Sequence, residues 1–322
     1  MRSYAIFALD WLIRSGRSVS GDRRATGAVP CVLALALLMP MAYAQSTTII
    51  TSLPYEIRTP GTYVLANDLV AAVNTGSSAI SIYSSDVTLD CLGHSITDSV
   101  RVAGSRGVVG YADLSDVTIQ NCTLSNFDGG ITVGERNYRP RLIRNRILDG
   151  GVRGIMIRGH NAFVSENRVI GLRTISAGTS TGMVLTAFDG NADVLSEDAV
   201  ISHNVVADVR GDYQSFGITV TPSIRPVIAD NSILDIRPNT EAIVYLYFYY
   251  IEQDHPGPTV GALIRNNVMM SSRPGVDGYE DIYLWDADLR DAESRCTDNT
   301  AIGFAQISYS ICSEQDGNVI MQ

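Results

Sequence analysis

Three stretches in the C-terminal half of the chain combine aromatic and acidic side chains, which are residue types that bind sugars. Flat aromatic faces stack on sugar rings, and carboxylates bind hydroxyl groups, hold Ca²⁺, or act as general acid and base when about 5 to 9 Å apart. The residues are Phe188, Asp189, Asp193, Glu197, Asp198, Tyr247, Tyr249, Tyr250, Asp254, His255, Trp285, Asp286 and Asp288. We take the Phe, Tyr and Trp residues of this set as substrate-binding candidates.

No catalytic role is assigned from these residue types alone. The candidates for one are Asp189, Asp193, Asp286, Asp288 and Arg158. Under the alternative interpretation, the tyrosine-rich run is half core and the acids only make the loops soluble.

A second candidate set is basic. Arg136, Arg139, Arg153 and Arg158 are predicted to lie on the same edge of the fold as the aromatic stretches, nearer the N-terminus. A row of guanidinium groups could clamp a uronate or a sulfate, or supply lyase chemistry with a tyrosine such as Tyr138. Arg136 and Arg158 therefore join the substrate-binding candidates. The alternative is a solvated arginine stripe whose charge is balanced by nearby acids, namely Glu135, Asp149 and Glu166.

Metal and cofactor chemistry receives little support from the sequence. The four histidines, His94, His160, His203 and His255, fall at unrelated points of the repeat described below, which argues against a histidine metal cluster. We expect no metal site and no cofactor, with Ca²⁺ on the loop acids as the one exception left open.

Two short patterns recur along the chain and set where these residues lie. The first is Gly, Ala or Asp followed by apolar-x-apolar, and the second is apolar-x-x-Asn-x-apolar. The first pattern occupies residues 130–133, 154–157, 182–185, 217–220, 242–245 and 281–284. The second occupies residues 142–147, 164–169, 201–206, 228–233, 263–268 and, in degenerate form, 296–301. Self-similarity at this period indicates stacked repeats.

The turns between these strands are too short to hold a crossover helix. Parallel strands without such a helix require a coiled chain in which each strand pairs with the equivalent strand one turn later. Connections between parallel strands are almost always right-handed. The sequence therefore predicts an all-β fold, a single-stranded right-handed parallel β-helix of about eight to nine rungs.

The repeated Asn predicts a stacked amide ladder with members Asn145, Asn167, Asn204, Asn231, Asn266 and Asn299, with Cys122 in the first rung. Asn tolerates the left-handed backbone that a sharp turn needs, and stacked amides can both donate and accept hydrogen bonds. The residue before each ladder position should face solvent. We expect ion pairs there between Arg144 and Glu166, and between Arg265 and its acidic neighbours Asp230 and Asp298.

The first pattern predicts one outward column, Thr132, Met156, Val184, Thr219, Val244 and Tyr283, with Tyr245 facing inward. No carboxylate occurs in this column. The longest insertions after these strands, 186–199 and 246–260, leave the same edge of the stack. Irregular insertions on a rigid repeat scaffold often carry binding residues, so we expect the functional edge there.

The N-terminus reads as a cleaved export signal. Residues 31–41 form an apolar run that is short for a bilayer span and is followed by Ala42, Tyr43 and Ala44, a small-x-small cleavage pattern. We assign residues 1–44 to the signal and expect a secreted or periplasmic protein without a membrane anchor. The chain carries a net charge of −10, and cleavage would remove more basic than acidic residues, which argues against nucleic acid as a partner.

Four cysteines follow the predicted signal: Cys91, Cys122, Cys296 and Cys312. In an oxidising compartment an even count favours disulfides. The pairs Cys91 with Cys122 and Cys296 with Cys312 would each join neighbouring rungs. Buried free thiols are the alternative.

Residues 45–76 depart from the repeat and are predicted to cap the N-terminal end of the β-helix, which then occupies 77–322. The runs 53–69, 79–96 and 116–127 resemble the opening of secreted bacterial right-handed β-helix proteins of the pectate-lyase-like superfamily. Together with the ladder, the resemblance covers about residues 48–315.

The resemblance implies a carbohydrate polymer as ligand, because such proteins include pectate lyases and polygalacturonases. We therefore expect an exported protein that binds, and as an enzyme would cleave, a polysaccharide by lyase or glycoside hydrolase chemistry. The alternative is a non-catalytic surface or periplasmic repeat protein whose long stack is itself adhesive. The oligomeric state is left open.

Overall fold

The computed structural model describes residues 47–174, 178–186, 196–221, 223–237, 243–249, 259–271, 282–285, 293–303 and 312–321. The predicted signal, 1–44, lies outside these ranges. Within these ranges all regular secondary structure is β-strand. The described part of the chain holds no helix long and apolar enough to cross a membrane.

Three long sheets contain almost all of the strands, which are numbered β1 to β32 in chain order. Sheet 1 holds β2 (Tyr55–Ile57), β5 (Ser78–Ile82), β8 (Arg106–Gly110), β11 (Gly129–Tyr138), β14 (Arg153–His160), β17 (Ser180–Leu185), β21 (Ser215–Val220), β25 (Ile243–Tyr249) and β28 (Ile282–Trp285). Sheet 2 holds β1 (Thr47–Ile50), β3 (Gly61–Leu65), β6 (Val87–Asp90), β9 (Thr118–Gln120), β12 (Arg141–Ile143), β15 (Phe163–Ser165), β19 (Val200–Ser202), β23 (Val227–Ala229), β26 (Leu263–Arg265), β29 (Arg295–Thr297) and β31 (Glu314–Asp316).

Sheet 3 holds β4 (Leu69–Ala71), β7 (Ser95–Asp98), β10 (Thr123–Ser125), β13 (Arg146–Leu148), β16 (Arg168–Ile170), β20 (Val205–Val209), β24 (Ser232–Ile236), β27 (Val268–Met270), β30 (Thr300–Ile302) and β32 (Val319–Met321). A short extra pair joins β18 (Ser196–Glu197) to β22 (Ser223–Ile224).

The chain visits sheets 1, 2 and 3 in turn and then begins again, so that each strand pairs in parallel with its equivalent one turn later. This is the predicted right-handed parallel β-helix. Sheet 1 has nine strands, one for each full turn, in agreement with the expected rung count. Strands β1 to β4 already pair with later turns in this way.

The core is a set of apolar columns inside the coil. Sheet 1 contributes one such column, whose members are 0–1% exposed: Ile80, Val108, Ile131, Ile155, Met183, Ile218 and Leu246. Burying one side chain of this size stabilises the fold by about 1.5–3 kcal/mol before the entropy cost is subtracted. Each rung therefore contributes apolar burial from all three sheets to one continuous core.

The asparagine ladder forms where each turn passes from sheet 2 to sheet 3. Each amide Nδ2 donates to the Oδ1 of the next Asn along the stack at 3.0 Å. The same Oδ1 accepts the backbone N–H of the preceding Asn, and Nδ2 also donates to a backbone carbonyl of an earlier turn. Cys122 occupies the first position, as predicted, and its N–H donates to Asn145.

One member of the ladder was predicted incorrectly. Asn267, not Asn266, continues the ladder, because the buried Ile264 aligns with Ile228 and Cys296. The sequence offers two adjacent asparagines, and only the pairing of β26 with its neighbours separates them. The structure also adds Asn318 as a final member.

The backbone reason given for the ladder was also wrong. None of the described ladder asparagines has a positive φ; the residue before each one does, including Arg144 (φ 53°), Glu166 (φ 60°), His203 (φ 56°) and Asn266 (φ 53°). A residue in the left-handed region makes the corner, and the Asn after it turns its amide inward.

Neither expected ion pair in this corner column forms. Arg144 donates to Asn121 at 3.0 Å, and no ion pair joins it to Glu166. Arg265 belongs to strand β26, aligned with Thr297, and Asn266 takes the corner position beside Asp230.

Both predicted disulfides are present. Cys91 is bonded to Cys122, with 4.7 Å between their Cα atoms, and Cys296 to Cys312, with 5.6 Å. Each joins neighbouring turns. The two bonds are compatible with an oxidising compartment.

Removing one ladder amide tests whether these buried hydrogen bonds hold the stack together. In Asn204→Ala the buried N–H groups of Asn167 and the carbonyl of Val164 lose their partners. Each unsatisfied buried polar group costs about 1–3 kcal/mol, so we expect a clearly lower urea midpoint. The matched control, Asn266→Gly, keeps the left-handed corner and loses only an exposed bond. Equal midpoints for the two variants would contradict a stabilising role for the ladder.

Candidate functional site

The outer face of sheet 1 carries the predicted site residues that the structure describes. Side chains point outward along three columns of this face, defined by the register of the strands. The middle column contains Glu56, Ser81, Val109, Thr132, Met156, Val184 and Thr219. The register of β25 and β28 aligns the backbone of Tyr247 and Tyr283 with this column. The flanking positions on each strand supply the other two columns.

The register of β25 differs from the prediction by three residues. Leu246, fully buried, aligns with the inward Ile218, and Tyr247 aligns with the outward Thr219. Val244, which was predicted in the outward column aligned with Thr219, instead pairs with Phe216, and Tyr245 falls opposite the buried Gly217. The run 242–250 is apolar at nearly every position, so several registers satisfy the alternation equally well and pairing with β21 selects one.

Three of the predicted aromatic residues lie on sheet 1. Tyr247 pairs with Tyr283, and Tyr249 pairs with Trp285, as neighbours on β25 and β28. The other loop candidates fall outside the described residues: Phe188, Asp189, Asp193, Tyr250, Asp254, His255, Asp286 and Asp288.

The structure describes two of the predicted loop acids, Glu197 and Asp198. Asp198 connects neighbouring turns of the β-helix. Glu197 ends β18, and Asp198 follows it at a left-handed corner (φ 51°). The carboxylate of Asp198 accepts two hydrogen bonds from Arg225 of the next turn, at 2.7 and 2.9 Å. That guanidinium lowers the pKa of Asp198. The pair ties one corner to the next.

Three of the predicted arginines are paired with acids of the preceding turn. Arg136 binds both oxygens of Asp113 at 2.6 and 2.8 Å, and Arg139 binds both oxygens of Asp116. These guanidinium groups lower the pKa of each aspartate. Arg158 lies 2.7 Å from Glu135. The charge of this basic edge is therefore balanced locally, as the alternative interpretation expected, although by Asp113 and Asp116 as well as Glu135.

Arg153 and Arg106 differ from these three arginines. Both are exposed, they occupy the same column of sheet 1, and they flank Gly129 as its Cα partners on β14 and β8. Neither forms an ion pair within the described part of the chain. Desolvation and the charges of Arg158 and Arg106 lower the pKa of Arg153, with Asp128 acting in the opposite direction. The guanidinium group of Arg153 therefore lies within electrostatic range of Arg158 and Arg106.

A bulge in β11 shapes the middle of this face. Val133 pairs with Ile157 and Asn137 with Gly159, so β11 has three residues where β14 has one. Asn137, only 1% exposed, holds the bulge: its Nδ2 donates to the carbonyls of Tyr111 (2.8 Å) and Gly134 (2.6 Å). Bulges commonly re-aim side chains near functional sites. Here the bulge projects Glu135 towards Arg158.

The bulged strand β11 forms the lowest part of this face, because two of its three outward positions are glycines and carry no side chain. Gly129, Thr132 and Gly134 form a floor. Arg106, Val109 and Tyr111 of β8 stand on one side, and Arg153, Met156 and Arg158 of β14 stand on the other. The two walls lie two strand spacings apart, about 9.6 Å between backbones. We call these nine residues the arginine groove.

An aromatic stack begins at Tyr111 on the groove wall and continues along the third outward column to Tyr83. The rings of Tyr83 and Tyr111 stack with centroids 4.3 Å apart, and Arg58 lies over Tyr83 at 4.4 Å. Hydrogen bonding to Tyr83 raises the pKa of Tyr111, supported by partial burial. Tyr111 is therefore protonated at neutral pH and presents a neutral hydroxyl and a flat ring, not a base.

Sequence reasoning missed Arg106, Tyr83 and Tyr111. The signal was present, because residues 79–82 match the first repeat pattern, residues 107–110 match it except at Gly110, and each run is followed by a tyrosine. Beginning the pattern at residue 130 left these two rungs out.

Carboxylates on the described part of this face are already paired. Glu56 lies 2.7 Å from Arg58, and Glu135 binds Arg158. The described residues also contain no group of three His, Cys, Asp or Glu side chains placed to hold a metal ion. The chemistry that the described groove offers is cationic and aromatic: it can bind anions and stack on rings.

No family model matches the chain, and no curated protein matches it. Solved structures with a similar backbone include the Dettilon tailspike protein (12% identity, 84% of this chain, 60% of that chain, TM-score 0.47). Two others are the catalytic domain of a GH87 alpha-1,3-glucanase in complex with nigerose (13%, 86%, 62%, TM-score 0.37) and the mannuronan C-5 epimerase A-module of Azotobacter vinelandii (12%, 84%, 90%, TM-score 0.41). The chain spans about 60% of the length of the first two.

The shape of the groove floor predicts a contrast between two glycines of neighbouring strands. A Cβ on Gly134 would lie 2.9 Å from backbone atoms of Tyr111 and Ala112, whereas a Cβ on Gly110 would meet nothing within 4 Å. We expect Gly134→Ala to destabilise the protein by about 1–3 kcal/mol and Gly110→Ala to be neutral or slightly stabilising. Thermal unfolding of both variants measures this. If Gly134→Ala unfolds at the wild-type temperature, the bulge is not as tightly held as described.

Proposed function

We propose that this protein binds an anionic polysaccharide across the arginine groove. The observation that carries the proposal is that Arg106 and Arg153 are both exposed and have no carboxylate partner in the described part of the chain. They lie on opposite walls of the groove, on either side of the glycine floor. Planar guanidinium groups bind carboxylates and sulfates through charge-assisted hydrogen bonds. Desolvation and the charges of Arg158 and Arg106 lower the pKa of Arg153, and a bound anion would offset both effects.

The class of anion follows from the surroundings of the groove. The exposed guanidinium groups of Arg106 and Arg153 require acidic groups on the ligand. The stacked ring of Tyr111, 43% exposed beside the groove, suits a sugar ring. A polymer with spaced acidic groups and sugar rings between them, such as a polyuronate or a sulfated glycan, matches both features.

A long ligand would extend beyond the groove along the stack. Tyr249 and Trp285 continue the column of Tyr111 and Arg158, three and four strands past β14. At about 4.8 Å per strand, Tyr249 lies about 14 Å from Arg158 along the axis. In this proposal the predicted aromatic residues Tyr247, Tyr249 and Trp285, whose strand positions follow the groove, form a second contact area for the same polymer.

Binding is proposed here, and cleavage is a separate question. A glycoside hydrolase needs two free carboxylates, and the described acids of this face are paired. Hydrolysis would therefore rest on Asp189, Asp193, Asp286 or Asp288, and lyase chemistry on Arg158. A Ca²⁺ requirement would likewise rest on the loop acids. The paired acids favour the alternative of a non-catalytic, exported adhesive protein, in which the groove binds polymer without changing it.

The test compares two arginines that differ in position. We expect Arg153→Gln to weaken binding of a soluble polyuronate roughly tenfold, through loss of one charge-assisted contact. Arg146→Gln, a control on the outer face of sheet 3, should leave binding unchanged. Calorimetry at two salt concentrations should also show weaker binding at the higher one, because salt screens exposed charges.

Three results would contradict the proposal. They are equal binding of a neutral glucan, equal loss of binding in both variants, or insensitivity to salt. Assays for new reducing ends and for unsaturated sugar products, with and without a chelator, run on the same samples. Products would assign an enzyme, and binding without products would assign the adhesive alternative.

A further inference from the structure

The outer face of sheet 3 carries an uninterrupted apolar column that neither the core nor the groove explains. In strands β10, β13, β16, β20, β24, β27 and β30 the central residue of the paired triplet is buried and the two beside it point outward. From β13 onward, one outward column is apolar at every strand: Leu148, Ile170, Ala207, Leu234, Met270, Ile302 and Met321. The other column adds Val205, Val268 and Val319.

These side chains are accessible to solvent. Met321 is 50% exposed, Val319 42%, Val268 37% and Met270 36%, while the others are half-buried. Before Leu148 the same column is polar, with Thr97 and Ser125. Their hydroxyl groups hydrogen-bond to each other at 2.8 Å. Contiguous apolar patches of this kind usually mark a surface where another molecule binds.

We propose that this face is the interface of an antiparallel homodimer. A second copy fits the face better than an anionic membrane does, since the net charge of −10 disfavours anionic lipid. Two flat sheets pack face to face about 10 Å apart, and a twofold interface must be self-complementary.

A twofold axis parallel to β24 satisfies that requirement. It places Leu234 against Leu234 of the second copy, and it brings β20 onto β27 and β16 onto β30. The small Ala207 then opposes the long Met270 of the second copy, and Val205 opposes Val268. Small residues facing large ones allow the two layers to interdigitate.

Charges at the rim agree with this orientation. Arg168 lies on β16, and Asp298 precedes β30 at an exposed corner. Neither forms an ion pair within the described chain. In the antiparallel arrangement the two residues come from opposing strands at the same edge. In a parallel arrangement Arg168 would instead oppose Ile170 of the second copy.

The area indicates how tight the dimer should be. Seven strands at about 4.8 Å spacing and three residues at about 3.3 Å give a footprint of roughly 300 Å² per copy. A stable interface buries about 800 Å² per partner, so this footprint corresponds to a weak association. We therefore expect a reversible dimer whose fraction rises with concentration.

Sedimentation of the wild-type protein over a wide concentration range is the first test. The expected result is a shift from the monomer mass, which is 34.8 kDa for the uncleaved chain, to twice that mass. Val268→Glu should raise the dissociation constant roughly tenfold or more, because a charge would be buried against apolar partners. Val70→Glu is the matched control: Val70 is 70% exposed on the same outer face, on β4, outside the apolar run.

A cross-link tests the orientation independently of the charged variants. Leu234→Cys should form a disulfide-linked dimer under mild oxidation, and Val70→Cys and wild type should not. Circular dichroism verifies that each variant is folded. The proposal is overturned by a wild-type monomer at every concentration, by a larger assembly, by equal effects of the Val268 and Val70 changes, or by recovery of the protein on lipid vesicles instead of as a dimer.

Discussion

The buried amide column is the constraint on which the rest of this molecule depends. Each ladder Asn accepts from the amide and the backbone N–H of the Asn before it, so the column fixes the height of one turn relative to the next. A slip by one residue would leave these groups unsatisfied inside the coil and would turn every apolar side chain to the wrong face. The register of all three sheets follows from that column.

The sequence predicted the fold well because the fold is periodic. Inward positions such as Ile131 and Ile155 repeat at fixed offsets from the ladder, and six imperfect repeats reinforce one another. Errors arose where the local sequence offered two equivalent choices. Asn266 and Asn267 both fit the ladder, and residues 242–250 fit several registers. In each case pairing with the neighbouring turn decides, and that information is not local.

The groove was harder to predict for a different reason. Its floor results from two glycines and a bulge, and the bulge depends on Asn137 bonding to Tyr111 and Gly134 of two successive turns. Residue types alone identified Arg136, Arg139, Arg153 and Arg158 as one basic set. Only the structure separates Arg153 from the other three, since it alone lacks a carboxylate partner. Pairing, not charge, distinguishes a scaffold arginine from one available to a ligand.

The outward side chains can differ from one sheet to another, because the β-helix is stabilised mainly by its inward side chains and its ladder. If the apolar run on sheet 3 reflected only the preference of β-strands for aliphatic residues, sheet 2 should show it too. One outward column of sheet 2 is apolar over four strands, at Phe163, Val200, Val227 and Leu263, and arginines end it on both sides, Arg141 and Arg295. The column on sheet 3 is apolar over seven strands and continues to the last strand of the sheet. Its length, not apolar character alone, distinguishes this face, and an association surface there would leave the groove on sheet 1 open.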